Sequence, residues 1–205
     1  MTTAPLIPHP AASAGDTLAE VERESQGCAR CGLAATRTQV VFGSGDASAD
    51  LMFVGEGPGE QEDLQGLPFV GRSGALLTQL IEGIGLTRER VYIGNVVKCR
   101  PPGNRDPLPA EIEACSPWLD RQLELIRPLV IVTLGNFATK LLLETKDGIT
   151  KMRGREVPFG RAGIDAVVVP TYHPSAVLRS GGRMLAEIRA DFVKAKRLLK
   201  GQAGR

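Results

Sequence analysis

The sequence has 205 residues, 42% of them hydrophobic and 23% charged, with a formal net charge of +2. That length suits one domain with a full core rather than two. No stretch approaches the ~20 apolar residues of a membrane-spanning helix, and the N-terminus lacks the basic start and apolar run of a secretory signal, so a cytoplasmic protein with no membrane partner is expected.

Residues 1–15 are rich in Pro, Ala, Thr and Ser without apolar periodicity, and read as a flexible arm. Residues 16–205 remain as a single domain. Asp16 is placed to cap a helix running to about Ser25, with Leu18 and Val21 inward. Residues 51–54 read as a buried strand that ends in a glycine-rich loop. A helix is expected from about Ser73, with Leu76, Leu80 and Ile84 on one line and Leu77 and Ile81 beside it. Residues 91–97 form the second expected strand. A helix over 110–126 carries the stripe Ile112, Cys115, Leu119, Leu123 and Ile126. Pro128 gives way to a third strand at 129–134 and a helix at 136–143. The pattern breaks at 149–159 into a hairpin or irregular loop. Residues 166–169 are the fourth strand. A final helix from about Gly182 presents Leu185, Ile188, Phe192, Ala195 and Leu199. Apolar strands alternating with amphipathic helices predict an α/β fold, a three-layer α/β/α sandwich around a central four-stranded, mainly parallel sheet.

In open parallel sheets, ligands bind beyond the carboxyl ends of the strands. Three polar segments leave strand ends here: Gly55-Glu56-Gly57-Pro58-Gly59, Asn95, and His173-Pro174-Ser175. The first is no dinucleotide fingerprint, because Glu60 stands where G-x-G-x-x-G needs its third glycine. Glu56, Glu60, Glu62 and Asp63 would also repel a phosphate, which makes a nucleotide cofactor a poor fit at this loop. Further on, residues 179–205 hold eight basic and two acidic side chains, a surplus of six against a deficit of four elsewhere. Such a segment suits phosphate backbones or the solvated face of a terminal helix.

Four cysteines in a reducing compartment are not expected to form disulfides. Cys28 and Cys31 form C-x2-C, whereas fifteen residues separate Cys99 from Cys115. Zinc ribbons usually repeat the close pair, and four thiolates also suit an iron–sulfur cluster.

The acidic glycine loop continues through Gly66-Leu67-Pro68-Phe69-Val70-Gly71-Arg72-Ser73-Gly74. With Asn95-Val96-Val97-Lys98-Cys99-Arg100-Pro101-Pro102 and His173-Pro174-Ser175, it resembles the family 4 uracil-DNA glycosylases over roughly residues 28–199. The resemblance implies a monomeric repair enzyme that flips uracil out of single- or double-stranded DNA and hydrolyses its glycosidic bond. It implies a [4Fe–4S] cluster on Cys28, Cys31, Cys99 and Cys115. It implies catalytic roles for Glu56, which stabilises charge or positions water, and for His173, which stabilises the departing base. The implied substrate pocket comprises Gly55, Gly57, Glu62, Phe69 as the stacking aromatic and Asn95 as the uracil reader. Ser175, Leu178 and Arg179 match a DNA-contacting loop, with Leu178 as a wedge, and Arg100, Asn104 and Arg105 are expected against DNA.

Two positions depart from well-known superfamily members. Gly57 stands where those carry a water-activating aspartate, and Gly59 where they carry a tyrosine. One related class traps its product covalently on a histidine in a basic insertion, but residues 100–111 contain no histidine. A different alternative is a non-catalytic iron–sulfur module that binds nucleic acid or assists a polymerase; the presence of Glu56, Asn95 and His173 argues against it.

Overall fold

The computed structural model describes residues 15–161, 163–180 and 182–202. The expected N-terminal arm, apart from Gly15, lies outside these residues, as does the basic Arg205. The strands are β1 (Ser44–Gly45), β2 (Leu51–Gly55), β3 (Tyr92–Asn95), β4 (Val130–Leu134), β5 (Val157–Arg161) and β6 (Ile164–Thr171). The helices are α1 (Leu18–Gln26), α2 (Glu60–Gln65), α3 (Arg72–Gly83), α4 (Pro109–Ile126), α5 (Asn136–Leu142), α6 (Ile149–Met152), α7 (Pro174–Ser180) and α8 (Gly182–Gln202).

Every residue of β2, β3 and β4 is buried, as a sheet covered on both faces requires. Alternate side chains feed two cores. Met52, Val54 and Ile131 join Leu119 and Leu123 of α4 and Ala138 of α5 on one side. Leu51, Phe53, Val130 and Val132 join Leu77 and Ile81 of α3 and Ile188 and Phe192 of α8 on the other. The three-layer α/β/α sandwich is therefore as expected.

The sheet is wider than the sequence suggested. Its order is β1-β3-β2-β4-β6-β5. The four expected strands form the parallel centre, and β1 and β5 add antiparallel edges. Both edges carry weak signals. β1 is two residues long, and β5 buries only Phe159 while containing Pro158 and Gly160. From β2 the chain steps outward to β3, then returns past β2 to β4. That reversal is the topological switch point where open α/β sheets place their ligands.

Four local readings change. Thr17, not Asp16, caps α1: its hydroxyl accepts from the Glu20 N–H at 3.3 Å, while Glu20 returns a bond to the Thr17 N–H at 2.8 Å. Asp16 instead accepts from Arg121 of α4 at 2.7 Å. The inner row of α3 is Leu77, Leu80 and Ile81, with Leu76 and Ile84 at its margin. The stretch 149–159 resolves into α6 and most of β5. Finally, residues 174–180 form a helix rather than a loop, because Pro174 suits a first helical turn and Val177 is buried.

Candidate active site and cysteine centre

A cleft of about 730 Å³ opens at the carboxyl end of the parallel strands, walled among others by Glu56, Phe69, Asn95, His173 and Arg179. Its floor follows from strand register. Gly55 of β2 pairs with Asn95 of β3, and a Cβ on Gly55 would fall 2.5 Å from Asn95 Oδ1 and 2.6 Å from Phe69 Cζ. Glycine lets both side chains close over the strand end. Asn95 is buried, and its Oδ1 has no hydrogen-bond partner among the described residues. Buried polar atoms are seldom left so, which marks this oxygen as a group that a ligand donor would satisfy.

Phe69 is held in a costly shape. Its φ of 53° lies in the left-handed region that bulky residues avoid. Glu62 fixes one side of the loop: Oε1 accepts from the N–H groups of Val70 and Gly71 at 2.9 Å each, and Oε2 from Gly59 at 3.1 Å. Arg88 fixes the other, donating to the carbonyls of Phe69 at 3.1 Å and Pro68 at 2.7 Å. This clamp sets the Phe69 ring with its centroid 5.7 Å from the His173 ring.

His173 follows β6. Its Nδ1 lies 2.8 Å from Ser175 Oγ and accepts from the Ser175 N–H at 3.2 Å. A backbone N–H can only donate, so Nδ1 is the lone-pair nitrogen and the ring proton is assigned to Nε2. Burial pushes the His173 pKa down to about 4, aided by the charge of Arg179 and opposed by Glu62. Glu56 moves the other way. Burial, with Asp106 adding repulsion, raises its pKa to about 7. The cleft thus combines a neutral imidazole donor with a carboxyl group that ionises near neutrality.

A second, smaller cavity is lined by Cys28, Cys31, Cys99 and Cys115 together with Arg30, Arg37 and Trp118. All four cysteines are free. The first two follow α1, Cys99 lies beyond β3, and Cys115 sits in α4. Three sulfurs receive N–H donors: Cys115 from the Lys98 backbone at 3.2 Å, Cys99 from Arg37 at 3.4 Å, and Cys28 from the Trp118 indole at 3.4 Å. Burial raises the pKa values of Cys31, Cys99 and Cys115, the last to about 12. Arg30 Nε, in the same wall, is buried without a partner among the described residues. Among those residues no three His, Cys, Asp or Glu side chains are grouped to hold a single metal ion. The thiols instead share the wall of one cavity.

Residues 42–199 match the family described as the Uracil DNA glycosylase superfamily, a span that contains the whole strand-end constellation. The chain belongs to this superfamily. A protein named Type-4 uracil-DNA glycosylase from Sulfurisphaera tokodaii is 47% identical over 188 residues, covering 89% of this chain and 85% of that protein. Proteins of the same name from Archaeoglobus fulgidus and Thermotoga maritima are 46% and 48% identical. They cover 87% and 84% of this chain and 92% and 90% of their own lengths.

Within this superfamily fold, most of the expected site residues converge on the cleft, but several have protein partners. Glu62 lines it with both oxygens engaged by the Phe69 loop. Ser175 and Arg179 line it from α7, and Ser175 is bonded to His173. Leu178, on the same helix, is 42% exposed. Asn104 and Arg105 reach the cleft wall; Arg100 bonds to Asn104 at 2.7 Å, and Arg105 pairs with Glu111 through two bonds of 2.7 and 2.9 Å. A Cβ at Gly57 would fall 2.6 Å from Val97 Cγ2, so any side chain at this position would crowd Val97. Sequence reasoning missed Arg88 and Asp106. Both act across the fold, and no local pattern marks either one.

Proposed function

We propose that this superfamily member is a uracil-DNA glycosylase that removes uracil from single- or double-stranded DNA and leaves an abasic site for base excision repair, acting as a cytoplasmic monomer. The names of its relatives support this reading. The observation that carries it is the unpartnered Asn95 Oδ1, buried beside Phe69 in a cleft that His173 also lines.

A base must leave the stack to enter the cleft, at a cost of a few kcal/mol. Stacking on Phe69 offsets about 1–3 kcal/mol of that. Asn95 Oδ1 accepts from uracil N3–H, and its amide nitrogen donates to O4. Cytosine presents a lone pair at N3 and an amino group at position 4, which would leave two buried groups opposed. As the N1–C1′ bond breaks, its electron pair leaves with the base and negative charge grows on O2. The His173 Nε2–H donates there, and a bond that strengthens with that charge lowers the barrier. The sugar becomes oxocarbenium-like. Ionised Glu56 stabilises it and orients the attacking water, whose oxygen bonds to C1′ while its proton passes to the carboxylate. Arg179 pairs with a backbone phosphate, Ser175 supports both DNA and imidazole, and Leu178 fills the vacated space in the duplex.

The four cysteines suit a [4Fe–4S] cluster. Four thiols around one cavity, N–H donors to three sulfurs and the spare Arg30 Nε are the features such a group uses. When bound, it supplies a covalent tie between the segment after α1 and the segment from Cys99 to Cys115. Hydrolysis requires no electron, and the catalytic steps belong to the cleft residues alone.

The test is a labelled uracil-containing oligonucleotide, incubated with the protein and then treated with alkali. Strand scission is expected from the wild type, with losses of about a hundredfold or more in Asn95→Ala and His173→Ala. An intact strand after incubation with iron-loaded wild type would favour a non-catalytic binding module. A DNA adduct that survives denaturation would favour the covalent class.

A further inference from the structure

Lys98 lies between the two centres and is 1% exposed. Its Nζ donates to the Asn95 carbonyl at 2.8 Å and to Gln122 Oε1 at 2.5 Å. Its backbone N–H donates to Cys115 Sγ, its carbonyl accepts from the Val41 N–H at 2.8 Å, and the next residue is Cys99. Gln122 is itself anchored, donating to the Phe42 carbonyl at 2.8 Å and the Tyr92 hydroxyl at 2.9 Å. The topology explains the need for such a donor. β1 pairs only with Tyr92 and Ile93, so the edge ladder stops before Asn95. The Lys98 amine takes the place of the missing strand partner.

We infer that Lys98 is a positioning residue, holding the Asn95 main chain from the wall of the cysteine cavity so that base recognition is set from that side of the molecule. The inference rests on the reading that Asn95 recognises the base. A methionine would fill the same space without the penalty of burying an amine. What the amine contributes is therefore the geometry of the groups it holds.

The test compares iron-loaded wild type with Lys98→Met in three measurements. These are inhibition by free uracil, affinity for an oligonucleotide carrying a tetrahydrofuran abasic site, and iron per chain with its visible absorbance. Uracil inhibition is expected to weaken about tenfold or more, because two buried acceptors lose their donor, while abasic-site affinity and iron content stay at wild-type values. Unchanged uracil inhibition would overturn the inference. So would a parallel loss of all three properties, which marks a residue that merely keeps the fold. If Lys98→Met does not fold, Gln122→Met removes the second anchor while leaving the amine; several-fold weaker uracil inhibition with unchanged iron is expected, and wild-type inhibition would overturn the idea. A wild type that neither excises nor binds uracil would sink the functional reading as well. A wild type that excises uracil, beside a variant that binds it normally, would sink this inference alone.

Discussion

Acidification separates the two ionisable groups of the cleft. At pH ~6, a carboxyl group with a pKa of about 7 is ionised in roughly one molecule in ten, whereas an imidazole with a pKa of about 4 is protonated in roughly one in a hundred. The depressed histidine value keeps His173 neutral until the solution is far more acidic, so it adds no limb near its ordinary pKa. The raised glutamate value means that the ionised, working form of Glu56 is lost as pH falls through neutrality. Because kcat/KM reports the free enzyme, it is expected to be flat above pH ~7 and to fall about tenfold per pH unit below it. Excision from a labelled uracil oligonucleotide, followed at constant ionic strength from about pH 5 to about pH 9, measures this. Glu56→Gln should be slower throughout and nearly flat. An acid limb near pH ~6.5 that survives in Glu56→Gln would show His173 ionising at its ordinary value, and would refute the neutral-donor mechanism.

Arg88→Met removes both donors from the carbonyls of Pro68 and Phe69 and should let the strained loop relax. A stability loss of about 1–3 kcal/mol in urea, with a larger fall in kcat/KM than in abasic-site affinity, is expected; unchanged kinetics would reject the clamp. Leu178→Ala should slow excision from duplex DNA while leaving single-stranded substrate unaffected, and a wild-type rate on duplex DNA would remove the wedge. Cys99→Ala should abolish bound iron and visible absorbance and lower stability by about 3–5 kcal/mol, as expected for losing a crosslink that closes so long a loop. Retention of iron by that variant would contradict the proposed ligand set.

The central strands were readable because their residues are continuously apolar, and α8 because Ile188, Phe192 and Ala195 repeat at helical spacing and all face one core. The convergence of Glu56, Asn95 and His173 was readable because all three lie at or just past the ends of parallel strands. Other features were set by partners far away in sequence. β5 becomes a strand because β6 pairs with it, although its own sequence includes Pro158 and Gly160. Asp16 lost the cap of α1 to Thr17, whose neighbour Glu20 completes the reciprocal bond, and was drawn to Arg121 instead. Glu62 was expected in the substrate pocket. Only the folded loop shows that its two oxygens hold three backbone N–H groups around Phe69. Arg88 carried no local signal at all, since its acceptors are carbonyls nineteen and twenty residues away.

The cysteine cavity also constrains how the protein is made. Its walls are incomplete until Cys115 has left the ribosome, and α4, which bears that residue, shares its core with Ile131 and Val168 from strands translated later still. Any inorganic group held there must be inserted into a nearly finished chain, or onto thiols left waiting during synthesis. A group arriving so late would tighten a first segment that buried Val21 and the bond from Arg121 to Asp16 have already docked.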